Sequence, residues 1–354
     1  MKKITPVLIA CLVLSCNSRT KENCEITIKE FPVEEKLMCS IISVPPIILS
    51  PGSLFITGNN LIIVSPRKDT VFDIFSFPDF QFLFSAGVKG GGPDDFMRID
   101  RRRPAPTDKG FNLFLMDSKK YRHVEINNKT NSLVIEDTKY HFEQEDDIVN
   151  GFMQLNDSLF IYFGGFTNNT EYKLLNSRTN KIQRFSPYPN RTDKNSNELN
   201  ATLYLKGSTG KPDGKLFASF YANFKRWRIF DYNGLLIRDI SVAVPPFTTN
   251  ISTDSDRYTF YDSYPFATDN YIYVFCRNMK QGESRKDNTE LQIWDWDGQP
   301  VAKYILDKYL TCFTVDEKEK NLYGVNNNEG DEDKIFKYYL PSLLTVKRDS
   351  ETKP

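Results

Sequence analysis

Asn60-Leu61-Ile62-Ile63-Val64 is a short aliphatic run opened by an asparagine, which reads as a strand buried on both faces and is too short for a helix. Five more stretches of this kind follow: Asn112-Leu113-Phe114-Leu115, Ser158-Leu159-Phe160-Ile161-Tyr162, Lys215-Leu216-Phe217-Ala218, Tyr271-Ile272-Tyr273-Val274-Phe275 and Asn321-Leu322-Tyr323-Gly324-Val325. From Leu61 through Leu113, Leu159, Leu216 and Ile272 to Leu322 the steps are 52, 46, 57, 56 and 50 residues. A period of about 50 is the size of one four-stranded propeller blade.

A second strand follows each of the six and ends in a turn. The first three are Ile74-Phe75-Ser76-Phe77-Pro78-Asp79, Val124-Glu125-Ile126-Asn127-Asn128 and Leu174-Leu175-Asn176-Ser177. The next two are Arg228-Ile229-Phe230-Asp231-Tyr232-Asn233-Gly234 and Gln292-Ile293-Trp294-Asp295-Trp296-Asp297-Gly298, and the sixth is Ile335 to Pro341. Asn-Gly and Asp-Gly favour the positive φ angles of a tight hairpin, so a further outer strand is expected after each. None of these units can bury both faces alone, but six can close into a ring. The expectation is an all-β, six-bladed β-propeller of four-stranded antiparallel blades. A β-sandwich with a second β-domain explains the strands but not their recurrence. For closing the ring there are two candidate strands, Ile26-Thr27-Ile28-Lys29 before the repeats and Leu343-Leu344-Thr345-Val346 after them.

The chain starts with Met1-Lys2-Lys3 and an apolar run from Ile4 to Leu14, the pattern of an export signal and too short for a span that needs about 20 residues. Val13-Leu14-Ser15-Cys16 resembles a lipobox, which implies cleavage before Cys16, lipidation of Cys16 and attachment to a membrane. The expected organisation is a signal peptide over 1–15, a tether over 16–25, the propeller over 26–348 and a tail over 349–354. Loss of Lys2 and Lys3 leaves 44 basic against 46 acidic residues, a net −2. Without a basic excess the chain lacks the main support for nucleic-acid binding.

Four cysteines remain, Cys24, Cys39, Cys276 and Cys312, with no CxxC spacing. Cys276 and Cys312 read as buried thiols in strands. Cys24 with Cys39 is the pairing favoured for a disulfide, because both precede the repeats.

Between the first two repeats stands Gly87-Val88-Lys89-Gly90-Gly91-Gly92-Pro93-Asp94-Asp95-Phe96. With the lipobox and the repeats, it resembles the TolB-like six-bladed β-propeller lipoproteins of Bacteroidetes, whose first blade ends in GxxGxGPxEF. Gly87, Gly90, Gly92, Pro93 and Phe96 match, and Asp95 stands where the pattern has Glu. The resemblance implies export and a cell-envelope location, anchored by lipid at the outer membrane. The group's surface-exposed members tend to carry acidic residues just after the cysteine. Here Asn17-Ser18-Arg19-Thr20-Lys21 come first, which favours the periplasmic side.

From its residues, the loop reads chiefly as a structural turn between blades, with Gly92 needing positive φ and Phe96 anchoring the turn in apolar packing. Exposed N–H groups of such a loop can also form an anion nest. No Gly-Lys-Ser/Thr follows, so it is not a phosphate loop.

Other features read as structural. Arg98, Arg101, Arg102 and Arg103 beside prolines are expected on a solvated loop. Trp294 and Trp296, two apart on a strand, are expected to pack between blades. Asn326 to Asp333 lacks EF-hand spacing and reads as a polar hairpin, and His123 and His141 form neither a zinc pair nor a triad. No Asp-box of the sialidase type is present. The expected function is a binding or scaffolding module for a protein, peptide or glycan, with no catalytic residues assigned and any metal or cofactor unknown. The alternative is a metal-dependent lactonase- or lyase-like enzyme with carboxylates and asparagines converging in a central channel.

Overall fold

The structure is a computed structural model, which describes residues 24–100, 104–142, 149–164, 170–190, 199–248 and 257–341. Six sheets succeed one another along the chain as six blades. The six aligned runs are the second strand of every blade: Asn60–Val64, Gly110–Leu115, Leu159–Gly164, Leu216–Tyr221, Tyr271–Cys276 and Asn321–Val325. The runs that follow them are the third strands, paired antiparallel with the second.

The repeat was visible in these strands because each is covered on both sides. Leu61, Ile62, Ile63 and Val64 are wholly buried. Apolar side chains of adjacent blades meet in six clusters, one at each junction around the ring. Truncating such a residue to Ala costs about 2–5 kcal/mol. Trp294 is wholly buried against Trp227, ring centroids 5.1 Å apart, and Trp296 lies in the same cluster.

In blades 4 and 5 the expected glycine turns are present but built differently. Gly234 and Gly298 both have φ of 84°, while Asn233 and Asp297 stay at negative φ. In blade 4, Gly234 N–H donates to Asp231 O at 3.0 Å, and the Asp231 carboxylate accepts the N–H groups of Asn233 and Leu235. Asp295 does the same work in blade 5. Both are four-residue turns with a glycine bulge, not two-residue mirror-image turns.

Closure departs from both expectations. Blade 6 is completed by Ser40–Ser43, paired antiparallel to Lys334–Tyr339. The earlier candidate strand instead becomes Glu25–Ile28, which runs parallel to Leu236–Val242 as a fifth strand on the rim of blade 4. Glu34–Leu37 then runs parallel to Pro300–Leu306 as the fifth strand of blade 5. The blades are therefore antiparallel apart from these two rim strands, and the first strand begins at Glu25, inside the expected tether. Phe31 sits between the rim strands and packs edge-on against Trp294 at 5.0 Å. The signal, Cys16, Arg101 to Arg103, Leu343 to Val346 and the tail lie outside the described residues.

None of the four described cysteines is in a disulfide. Cys24 lies against Leu236 of blade 4, whereas Cys39 lies against Asp307 near Tyr338, two rim strands further along. That separation corrects the expected Cys24–Cys39 pairing. Burial, and then the Asp307 carboxylate, push the Cys39 thiol above its ordinary pKa. Cys276 is buried as expected, but Cys312 is only half-buried.

Candidate binding channel

Antiparallel strands place all second-to-third turns and all blade-to-blade linkers on one face of the ring, here called the linker face. The glycine loop lies there, joining Phe82–Val88 of blade 1 to Ala105–Pro106 of blade 2. Gly87 is the position that needs glycine: its φ is 78°, and a Cβ there would stand 2.5 Å from the Phe72 ring. Gly92 does not have positive φ, which corrects the reason assigned to it from sequence. Its N–H donates to Asp95 Oδ2 at 2.7 Å, and a Cβ on Gly90 or Gly92 would meet that same carboxylate. The possible anion nest is thus occupied by the loop's own Asp95. Phe96 is buried, 4.9 Å edge-on to Phe72.

The loop is held from blade 2 by Arg122, a residue the sequence reading passed over. Its side chain is 1 % exposed and pairs with Asp137 through Nε at 2.7 Å and Nη2 at 2.9 Å. Arg122 also donates to the carbonyls of Pro93 at 2.6 Å and Asp95 at 2.9 Å, and its guanidinium lies over the Phe96 ring. Hydrogen bonding from Arg122 holds the Asp137 carboxyl below its ordinary value, against the opposing effect of burial. Blade 4 repeats the device: Arg228 donates to Asp239 at 2.7 Å and to Pro187 O of the preceding blade at 3.0 Å. Arg228 also meets the wholly buried Glu171 of blade 3 at 3.1 Å, where Tyr221 donates as well. An arginine between two apolar or aromatic strand positions of the third strand, as in Tyr121-Arg122 and Trp227-Arg228-Ile229, with an aspartate in the fourth, was the available signal.

The loop does not reach the centre of the ring. There a channel of about 700 Å³ is lined from all six blades, within the usual size of a ligand site. Its wall mixes prolines and aromatics, such as Pro51, Pro106, Phe152 and Phe313, with Ser208, Thr209 and Gln154. Among the described residues the charged ones in the lining are Arg67, Lys211, Arg277 and one carboxylate, Asp262, which pairs with Arg277 at 2.8 Å. Among the described residues no three His, Cys, Asp or Glu side chains stand together as a metal-binding group.

Of the remaining candidates the histidines are apart from the channel, while the Asn326–Asp333 stretch reaches it through Asn327. His123 hydrogen-bonds Asn112 at 2.6 Å on blade 2, and His141 is exposed. Asp331 of the Asn326–Asp333 stretch is bound by Asn326 and by Lys334 at 2.9 Å, which makes it the polar hairpin expected.

Fold and channel together define a six-bladed propeller with an open axial cavity. A sequence model of TolB-like six-bladed propellers matches residues 33–318, and the chain belongs to that family. Among solved structures it is similar to a DUF4221-family protein of Bacteroides vulgatus, with a TM-score of 0.61 and 13% identity over 86% of this chain and 97% of that one. It is also similar to a Bacteroides fragilis protein predicted to be exported, with a TM-score of 0.52 and 10% identity over 89% of this chain and 98% of the other. No curated protein matches it by sequence. At these identities the structural likenesses speak for the fold alone.

Proposed function

We propose that the protein is an exported binding module, lipid-anchored through Cys16 at the periplasmic side of the outer membrane, whose channel receives a peptide or glycan segment of a partner. The observation that carries the binding reading is the channel: every blade contributes to it, and its wall alternates apolar surface with isolated hydrogen-bonding groups, the composition of a recognition site. Asp262, the one carboxylate in the lining among the described residues, is paired with Arg277. The lipobox and the short apolar run support the anchor, and the similarity to a protein predicted to be exported supports export alone.

The binding reading is tested by screening the mature protein against peptide and oligosaccharide arrays and against lactone substrates with divalent cations. The expected result is saturable binding without turnover, abolished by Gly210→Trp, which fills the channel from a position whose Cβ meets only Met153 at 3.6 Å. Cation-dependent turnover lost on chelation overturns the reading in favour of an enzyme. The anchor is tested by Cys16→Ser, expected to move the protein from the membrane to the soluble fraction. Protease shaving of intact cells should leave the parent untouched; its removal would place it on the cell surface.

A further inference from the structure

At the linker-face mouth of the channel, between blades 5 and 6, two arginines converge on one ring. The Arg277 guanidinium lies 4.5 Å from the centroid of Tyr309, and that of Arg285 lies 3.6 Å from it. Arg285 sits in the long connection after Tyr271–Cys276 and reaches across to blade 6. There it donates to Asn327 Oδ1 at 2.9 Å and Asn328 Oδ1 at 2.5 Å.

A guanidinium can only donate, so it fixes both amides with oxygen towards Arg285 and NH₂ away. Asn327 Oδ1 accepts from Thr311 as well, at 3.3 Å. Its Nδ2 meets no acceptor among the described residues, and Asn327 lines the channel. Arg277 uses Nε on Asp262 and Nη1 on Leu310 O, which leaves Nη2 without a hydrogen bond among the described residues. In the adjacent blade 6 hairpin Asp331 is engaged by Lys334 and Glu332 by the Gly330 N–H, and none of Glu329, Asp333 and Asp287 pairs with Arg277 or Arg285 among the described residues. Arg285 has no carboxylate partner among the described residues, nor has Arg67, which lines the channel from blade 1. Among the described residues, the mouth thus presents the unused donors of Arg277 and Asn327 and guanidinium charge at Arg285 and Arg67 that no carboxylate pairs.

We propose that this mouth is a carboxylate-binding subsite that takes an acidic side chain or the C-terminal carboxylate of a peptide entering the channel. The inference deepens the binding reading above and rests on it. A peptide fits better than an acidic glycan because the Tyr309 ring, the aromatic surface a sugar would stack on, is already engaged by both guanidiniums.

The probe is fluorescently labelled hexaglutamate, read by anisotropy at physiological salt, with hexaglutamine, oligogalacturonate and inorganic phosphate as comparisons. Hexaglutamate is expected to bind saturably and hexaglutamine not. Arg285→Gln, an exposed change that leaves the core intact, should weaken binding about tenfold or more, and Asn327→Asp should do likewise. Equal binding by parent and Arg285→Gln overturns the proposal. Oligogalacturonate binding in place of hexaglutamate would assign the mouth to a glycan, and displacement by equimolar phosphate would make it a general anion site; either overturns the peptide assignment. If hexaglutamate fails while another ligand binds in a manner sensitive to Gly210→Trp, only the mouth assignment falls. If no ligand binds saturably, the binding reading falls with it.

Discussion

Gly87 and Gly92 belong to one motif yet should respond very differently to a methyl group. At Gly87 the backbone is left-handed and the Phe72 ring blocks a Cβ, so Gly87→Ala should cost about 2–5 kcal/mol from φ strain and overpacking together. At Gly92 the obstacle is the mobile end of Asp95, and Gly92→Ala should cost about 1 kcal/mol, one displaced hydrogen bond. Urea unfolding of the two variants checks the ranking. Arg122→Met leaves Asp137 unpaired and the Pro93 and Asp95 carbonyls without their donor, and should cost about 3–5 kcal/mol. Because folding lowers the Asp137 pKa from 3.8, the pair stabilises the protein above that value and its contribution disappears as pH falls through the folded pKa. Stability measured across that acid range should therefore slope less steeply in Asp137→Asn than in the parent.

Among the elements, the second and third strands were legible because their residues are apolar on both faces, as in Asn60–Val64, and such runs stand out from their surroundings. The closing strand Ser40–Ser43 was not, since three of its four residues are exposed and it shows no alternation. What decides its place is pairing with the edge of Lys334–Tyr339, a long-range fact that local pattern does not encode. The glycine loop was legible as a turn, but its clamp was not, because Arg122 reads as a surface residue until Asp137 and the Pro93 carbonyl are seen around it. The channel mouth escaped for the same reason: Arg277, Arg285 and Asn327 are brought together only by the packing of blade 5 on blade 6. The N-terminal strands should separate experimentally. Deleting residues 24–38 removes only the two rim strands and Phe31, and should lower Tm while leaving a monomer. Deleting 24–43 also strips blade 6 of its fourth strand, and the open edge should make the protein self-associate, as read by size-exclusion chromatography.

For the whole molecule, the ring joins its ends through a segment that touches three blades in turn: blade 4 at Glu25–Ile28, blade 5 at Glu34–Leu37 and blade 6 at Ser40–Ser43. This order has a mechanical meaning for the N-terminal anchorage proposed above. Tension applied ahead of Cys24 acts first on the four residue pairs along blade 4 and next on the four along blade 5. Only when both have yielded does the load reach the strand that keeps the ring shut. The rim strands work as strain relief, in the way a cable clamp spares the joint behind it. Pulling the protein from residue 24 against its C-terminal end in an optical trap should show two small extensions before the large one that opens the ring. Removing Phe31's hold on Trp294 with Phe31→Ala should lower the force of the early steps and leave the last unchanged. Under the binding reading proposed above, drag on a ligand held in the channel is taken up at the rim while the channel keeps its shape.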